Sequence, residues 1–226
     1  MCGRFTLTLE ESVLRRQLEL INVPADWLPR YNISPSQRIL TQTRMDGTLD
    51  WMNWGLLPFY LKEFDKNKGL INARGETVDE KVTFKQSFQQ RRCLIPADGF
   101  YEWKRSKDKK VPSTPFYFRR TNGDPFYFAG IWDKWQRDES QEPYYCCALL
   151  TTLPNELVSD VHDRMPVMLL PENAHLWLEE ASDEAHKALL VPFPAELMVK
   201  YPVSRAVNSP AVDDPGLVEP ALSLFN

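Results

Sequence analysis

The sequence predicts an α+β protein dominated by antiparallel β-sheet. Three observations indicate this class: 226 residues with 43% hydrophobic and 12% aromatic content, two hairpin-type turn signals between β-rich runs, and several amphipathic helical stretches. That length and composition are sufficient to bury a substantial core. We therefore expect one compact domain over residues 1–226.

The first predicted element is a helix near the amino end. The segment Thr8-Leu9-Glu10-Glu11 matches a capping box, in which a hydroxyl and a carboxylate satisfy free backbone N–H groups. Leu14, Leu18 and Ile21 follow at helical spacing. We expect these three side chains to form a buried face that packs on the core.

Two pairs of β-rich runs each flank a dipeptide typical of hairpin turns, Asp46-Gly47 in one pair and Asn122-Gly123 in the other. The paired runs are 37–43 with 48–54, and 115–120 with 125–131. Further strands are predicted at 92–97, 99–104, 144–151 and 165–170, and further helices near 78–90, 172–180 and 182–190. Antiparallel pairing is therefore expected to dominate.

Charge and apolar patterning limit the functional classes. The net charge of −4 gives no global attraction to phosphate, so nucleic-acid binding would need a local basic face. No apolar run approaches the roughly 20 residues that cross a bilayer, and the amino end lacks the layout of a signal peptide. We expect a cytoplasmic protein with no membrane partner. The four cysteines lack CxxC spacing, which predicts neither a zinc site nor a disulfide framework.

The start of the chain, Met1-Cys2-Gly3-Arg4, carries the most distinctive chemistry. Methionine before a small residue is the usual substrate of initiator aminopeptidases, and its removal would leave Cys2 with a free α-amine. An amine and a thiol on adjacent carbons suit an aldehyde, because the amine forms a Schiff base and the thiol then closes a thiazolidine ring. A terminal cysteine without any role is the alternative.

Three internal segments supply candidate partners for this chemistry. Asn72 and Arg74 offer an amide for hydrogen bonds and a guanidinium for a phosphate. Glu102 falls between large aromatic residues, where burial would raise its pKa and fit it for general acid–base catalysis. His162, beside an acid and a cation, is the best titrating candidate. A polar surface loop, an outward-facing strand glutamate and a structural histidine are the respective alternatives.

The two other histidines, His175 and His186, lie in amphipathic helical stretches, so we assign them to helix surfaces or packing. The three histidines and Cys2 show no metal-ligand spacing. We therefore expect neither a metal nor another cofactor.

Seven sequence blocks occur in one order along the chain. They are MCGR at 1–4, RYNISP at 30–35, WG at 54–55, INARGE at 71–76, ADGFYEWK at 97–104, HDRMPV at 162–167 and PVSRAVN at 202–208. In this combination the chain resembles the SRAP family, the SOS-response-associated peptidase-like, abasic-site processing proteins. MCG alone also opens glutamine amidotransferases, and the later blocks separate the two. The resemblance implies the SRAP fold, a barrel-like sheet with flanking helices, and leaves residues 209–226 as a C-terminal tail.

The resemblance also implies a function and roles for four residues. Cys2 would form the thiazolidine with the opened sugar of an abasic site, and Asn72 would hold the terminus and the sugar. Glu102 would transfer protons, while His162 would favour the ring-opened aldehyde and assist crosslink formation and reversal. The implied protein is an enzyme that shields abasic sites in single-stranded DNA from strand cleavage and later releases itself. We expect a monomer that is nucleoid-associated when bound to DNA.

The same resemblance indicates a DNA-binding surface. The positions that match the family's DNA cleft are Arg4, Asn32, Arg74 and Arg164. Where relatives often place two tryptophans after the WG block, this chain has Phe59 and Tyr60, which we expect to stack on a base unless they pack in the core. A family arginine is replaced by Val82, beside Lys81. The basic run 104–110 is interpreted as a solvated loop.

Two other functions remain open from the residues. A cysteine peptidase or amidase would use Cys2 as nucleophile and His162 as base, with self-removal of Met1 as its smallest form. A non-enzymatic single-strand-binding module would use the arginines and aromatic residues and leave Cys2 idle. Residual lyase activity at the abasic site is also expected if the Schiff base escapes ring closure.

Overall fold

A computed structural model describes residues 2–108, 110–138 and 140–221. The strands are β1 Phe5–Leu7, β2 Arg30–Ile33, β3 Arg38–Gln42, β4 Leu49–Trp54, β5 Asn72–Arg74, β6 Arg92–Ala97, β7 Gly99–Lys104, β8 Thr114–Arg120, β9 Phe126–Trp135, β10 Tyr144–Thr152, β11 Met165–Pro166, β12 Met168–Leu169 and β13 Met198–Pro202. The α-helices are α1 Glu11–Gln17, α2 Val82–Gln90, α3 Glu156–Ser159, α4 Pro171–Leu178 and α5 Asp183–Ala188. Met1, Lys109 of the basic run and residues 222–226 of the predicted tail lie outside the described residues.

The strands form two sheets. One has the order β13-β8-β7-β1-β2 and the other the order β11-β10-β4-β3-β6-β9-β12, with β5 also paired to β10. Among the described strands, β10 pairs in parallel with β4 and β5, and the other pairings are antiparallel. The predicted α+β class dominated by antiparallel sheet is confirmed.

Both sheets contribute to one hydrophobic core. Phe5 of β1 meets Phe128 of β9 with ring centroids 5.6 Å apart, and Phe100 of β7 stacks on Phe118 of β8 at 5.0 Å. These rings are almost completely buried, and such aromatic side chains each remove a large apolar area from water. This core holds β1 against β7.

The first helix is shorter than the sequence predicts. It begins after Glu10, and Thr8 donates through both its backbone N–H (2.5 Å) and its hydroxyl (2.7 Å) to the carboxylate of Asp98, so the capping box is wrong. Leu14 is buried as predicted, whereas Ile21 is 71% exposed. The helix ends at Gln17, before the predicted apolar face is complete.

The Asp46-Gly47 hairpin is confirmed, since β3 and β4 pair antiparallel and Gly47 has φ +69°. The second predicted hairpin is wrong. Gly123 does adopt φ +75°, but β8 pairs with β7 and β13, while β9 pairs with β6, β10 and β12. The chain therefore crosses from one sheet to the other at this turn.

The segment assigned to a C-terminal tail is packed as far as it is described. Leu217 is buried with Val207 and Tyr101 in a smaller cluster on the first sheet. Val203 bridges to Pro220, and Tyr201 donates through its hydroxyl to the carbonyl of Val218 at 2.9 Å. Within the described residues, no helix is long and apolar enough to cross a membrane.

Candidate active site at the amino terminus

The pairing of β1 with β7 brings Cys2 to Glu102. Phe5 lies opposite Phe100, and the backbone N–H of Tyr101 donates to the carbonyl of Arg4 at 2.9 Å, so the pairing continues toward the amino end. The residues before β1 therefore run alongside the part of β7 that carries Glu102. This carboxyl is close enough to Cys2 to disfavour ionisation of its thiol.

Cys2 is held at a fully buried position. The side-chain amide of Asn72 donates to the Cys2 carbonyl at 2.8 Å, and the thiol lies 3.8 Å from the carbonyl oxygen of Arg4. Burial raises the pKa of the Cys2 thiol, and the charge of Glu102 raises it further. The surroundings of Cys2 therefore disfavour the thiolate.

Asn72 is placed by a parallel strand of three residues that is not among the strands predicted from the sequence. β5 pairs with β10, with Asn72 opposite Leu149 and Arg74 opposite Thr151. The Asn72 Oδ1 atom is buried and has no hydrogen-bond partner among the described residues. The amide therefore holds the Cys2 backbone with one end and keeps an acceptor at the other.

Glu102 and His162 face each other. The distance from Glu102 Oε2 to His162 Nε2 is 3.9 Å, and Glu102 is only 3% exposed. Burial raises the pKa of the Glu102 carboxyl, because the low-dielectric surroundings disfavour the carboxylate. Glu102 is thus buried, and it lies close enough to His162 for both side chains to exchange protons with one bound group.

His162 is oriented through its other ring nitrogen. Nδ1 lies 3.1 Å from the backbone N–H of Arg164 and 3.0 Å from Oδ1 of Asp163. The first contact needs an unprotonated Nδ1, and the second needs a protonated one. The hydrogen bond from Arg164 makes Nδ1 an acceptor, and the opposite ring nitrogen, Nε2, is directed at Glu102.

The predicted DNA-binding arginines differ in how exposed their guanidinium groups are. Arg74 is exposed and has no hydrogen bond or ion pair to another described residue. Arg164 is buried and donates to both carboxylate oxygens of Glu76 at 2.6 and 2.8 Å, as well as to the carbonyl of Thr151 at 2.7 Å. Arg4 is partly buried and donates to Asn32 Oδ1 at 2.6 Å. Of these three arginines, Arg74 is the most accessible to a phosphate.

Asn32 requires a correction. Its side chain is fully buried, with Oδ1 accepting from Arg4 and Nδ2 donating to the carbonyls of Ser209 (3.0 Å) and Val212 (2.6 Å). A direct DNA contact from this amide does not fit the structure, because both of its polar atoms are engaged away from solvent. Asn32 instead fixes Arg4 and the segment around residues 209–212.

The aromatic pair after the WG block lies on the surface. Phe59 and Tyr60 are 61% and 58% exposed, with ring centroids 5.4 Å apart, and the Tyr60 hydroxyl lies 3.4 Å from Thr83 Oγ1. Core packing is therefore the wrong alternative for these two residues. Val82, at the start of α2, is also exposed, so the surface is apolar at the position where the family resemblance places an arginine.

Several residues around the site were missed by sequence reasoning. The Trp103 indole N–H donates to Asn208 Oδ1 at 2.8 Å, and its ring centroid lies 6.0 Å from the Arg4 guanidinium. Asp160 binds Lys104 and Lys200 beside His162. The ADGFYEWK and PVSRAVN blocks contain Trp103 and Asn208, but nothing in the sequence indicates that they meet. Within the described residues, no group of three His, Cys, Asp or Glu side chains is placed to hold a metal ion.

The fold and site together define an α+β protein with an amino-terminal cysteine beside a buried glutamate and a histidine. The family model described as SOS response associated peptidase (SRAP) matches residues 1–210. The chain belongs to the SRAP family, as the motif combination indicated.

Named relatives span almost the whole chain. Abasic site processing protein YoqW of Bacillus subtilis is 41% identical over 226 residues, which cover 97% of this chain and 99% of the relative. Abasic site processing protein YedK of Escherichia coli is 34% identical, covering 97% and 100% of the two chains. The protein HMCES of Gallus gallus, also named an abasic site processing protein, is 30% identical, covering 97% and 78%.

Solved structures confirm the fold. A protein of Bacteroides thetaiotaomicron superposes with a TM-score of 0.86 at 26% identity, covering 98% of this chain and 100% of that one. A phage-related protein of Bordetella bronchiseptica gives a TM-score of 0.71 at 30% identity, covering 90% and 95%.

Proposed function

We propose that this chain captures abasic sites in single-stranded DNA by forming a thiazolidine between Cys2 and the opened sugar. The observation that carries the proposal is the convergence of four side chains from distant parts of the chain. Asn72 binds the Cys2 backbone, and the Glu102–His162 pair lies beside it. The names of the relatives support the same substrate.

The proposed reaction begins with the sugar. An abasic deoxyribose rests mostly as a closed hemiacetal. To free the aldehyde, the bond between the anomeric carbon and the ring oxygen breaks, the ring oxygen gains a proton and the anomeric hydroxyl loses one. Glu102, whose pKa is raised by burial, and His162 are the available proton carriers. The Cys2 α-amine, exposed once Met1 is removed, then adds to the aldehyde carbon, and water leaves with the former carbonyl oxygen to give the imine.

Ring closure completes the capture. The Cys2 sulfur adds to the imine carbon, and the thiol proton passes to the nitrogen through Glu102 or His162. Since burial raises the pKa of this thiol, the amine is favoured as the first nucleophile. The ring removes the imine, whose electron-withdrawing effect would otherwise acidify the adjacent carbon and promote strand cleavage. Reversal through the same steps would release the protein.

A crosslinking assay tests the proposal. The purified protein, with Met1 removal verified by intact mass, is incubated with a single-stranded oligonucleotide that carries one abasic site and analysed on a denaturing gel. We expect a heat-stable shifted band that is absent with the intact strand. The Cys2→Ala variant keeps an α-amine and lacks the thiol, so it should give a band only after borohydride reduction, together with more strand cleavage. A heat-stable band in Cys2→Ala without reduction would overturn the proposal.

The peptidase alternative would require a lowered thiol pKa at Cys2. Cysteine nucleophiles that attack as thiolates occupy sites that lower the thiol pKa, whereas burial raises it here. Hydrolysis of an unrelated peptide that is lost in Cys2→Ala would favour the peptidase. Equal affinity for intact and abasic strands without crosslinking would favour the binding-only module.

A further inference from the structure

Asp160 forms a bridge close to the candidate active site that the proposed reaction does not use. It follows α3 and lies two residues before His162. Its Oδ1 accepts from Lys104 Nζ at 2.6 Å and its Oδ2 from Lys200 Nζ at 2.7 Å. One carboxylate thus joins the loop that carries His162 to two strands of the first sheet, β7 and β13.

Both lysines belong to the surroundings of Glu102. Lys104 is two residues beyond Glu102 on β7, and side chains at this spacing point to the same face of a strand. Lys200 also donates to the carbonyl of Leu157 at 3.0 Å, and its ammonium lies 5.7 Å from the ring centroid of Phe116, the residue opposite Glu102. The bridge therefore spans the strand of Glu102 and the loop of His162.

We propose that Asp160 is a positioning residue, which with Lys104 and Lys200 holds the His162 loop against β7 so that Nε2 of His162 stays directed at Glu102. This inference rests on the proposed function and adds a residue to its machinery. The hydrogen bonds from the two lysines, Lys104 first, lower the pKa of Asp160 to about 2, so the bridge is intact throughout the neutral range.

Two other roles for this bridge make different predictions. Exposed ion pairs usually contribute little to stability, so a purely structural bridge would leave the reaction rate unchanged. If the lysines instead served to bind phosphate, removing the Asp160 charge would free them and increase the affinity for DNA. A positioning role predicts a slower reaction at unchanged affinity.

The test compares Asp160→Asn with a control variant, Glu11→Gln, which removes another exposed ion pair on α1. We expect Asp160→Asn to slow crosslinking by about threefold to tenfold, less than the loss of a general acid or base costs, because the group is displaced rather than removed. Glu11→Gln should match the wild type, and affinity for an intact strand should be equal in all three proteins. An unchanged rate, or a gain in affinity, would overturn the proposal.

Epistasis separates positioning from a general defect. In a His162→Ala background, Asp160→Asn should cause no further loss of rate, since it acts only through the missing imidazole. Lys104→Met should reproduce the effect of Asp160→Asn, and Lys104→Arg should restore most of the rate. An additional loss in the His162→Ala background would mean that Asp160 acts by another route.

A spectroscopic measurement keeps this inference distinct from the proposed function. The imidazole signals of His162, assigned with His162→Ala, are followed by NMR in the DNA-free protein. Asp160→Asn should shift or broaden these signals, while Glu11→Gln should not. If the wild type formed no crosslink, the proposed function would fail, and these signals would still decide whether Asp160 positions His162. Unchanged signals in Asp160→Asn would reject the positioning role.

Discussion

Arg74 and Arg164 carry the same charge and are both predicted to contact DNA, yet their surroundings in the structure differ. Arg74 is exposed and makes no hydrogen bond or ion pair to another described residue, whereas Arg164 is buried against Glu76 and Thr151. A phosphate can reach Arg74 directly. At Arg164, a phosphate would have to compete with the Glu76 carboxylate.

This difference predicts separable effects of two substitutions. Arg74→Ala should weaken single-strand binding and reduce the slope of log affinity against log salt by about 0.7, with no change in stability. Arg164→Ala should lower the free energy of unfolding by about 1 to 3 kcal/mol, because it leaves Thr151 O and Glu76 without their donor. Salt-dependent binding assays and denaturant unfolding of both variants check this. Equal losses of stability would show that Arg74 is also structural.

At the residue level, the sequence is informative where the relevant neighbours are adjacent along the chain. The desolvation of Glu102 could be predicted from its large aromatic neighbours, and the structure has it 3% exposed. The burial of Asn32 could not be predicted, since it depends on carbonyls at residues 209 and 212, far along the chain. The ion pairs of Asp160 likewise involve lysines from two separate strands.

At the level of elements, turn chemistry proved a better guide to local backbone than to pairing. Asn122-Gly123 supplies a left-handed glycine as expected, and the strands on either side exist. Which strand each one joins depends on the side chains that it buries, and those belong to two different sheets here. β5, with only three residues, is too short to give a strand pattern in the sequence.

The packing of β7 on β8 predicts the effect of one substitution. A Cβ on Gly99 would lie 2.1 Å from the hydroxyl oxygen of Tyr117, a side chain held by a 2.9 Å hydrogen bond to Thr6. Gly99→Ala must therefore displace a buried ring, and we expect it to cost about 1 to 3 kcal/mol of stability. Gly216→Ala is the control, because its Cβ meets only the Asp214 side chain, at 3.0 Å. Thermal unfolding of the two variants measures the difference, and equal midpoints would contradict it.

At the scale of the whole molecule, the two sheets share a core, and the candidate site forms where segments from both meet. Cys2 and Glu102 belong to the first sheet and its extension, and Asn72 reaches Cys2 from the second. The site therefore depends on the global fold. Conditions that weaken the fold should reduce the proposed crosslinking even when no site residue has changed.

His186 links that global stability to pH. It is 1% exposed and packs against Trp177 and Phe88 at 5.7 and 6.3 Å between ring centroids, while its Nε2 lies 3.0 Å from the carbonyl of Glu179. Burial, together with the nearby charge of Arg92, lowers the pKa of His186. The imidazole of His186 therefore binds a proton less readily in the folded chain than in the unfolded chain, where it becomes protonated as the pH falls through about 6.5.

This difference in proton uptake determines whether stability rises or falls with pH. The contribution of His186 to stability is fully present above the unfolded pKa and is lost as pH falls toward the lower folded pKa. Burial raises the pKa values of Glu102 and Asp98, so their contributions to stability increase as pH falls. Both residues are the same in the wild type and in the His186 variant, so the comparison cancels their effect. We expect the free energy of unfolding to fall less between about pH 7 and pH 5 in His186→Gln than in the wild type. The control is His175→Gln, on the exposed surface of α4, which should follow the wild type. Urea unfolding at several pH values measures the three stabilities. Equal losses in all three proteins would show that His186 does not cause the pH dependence.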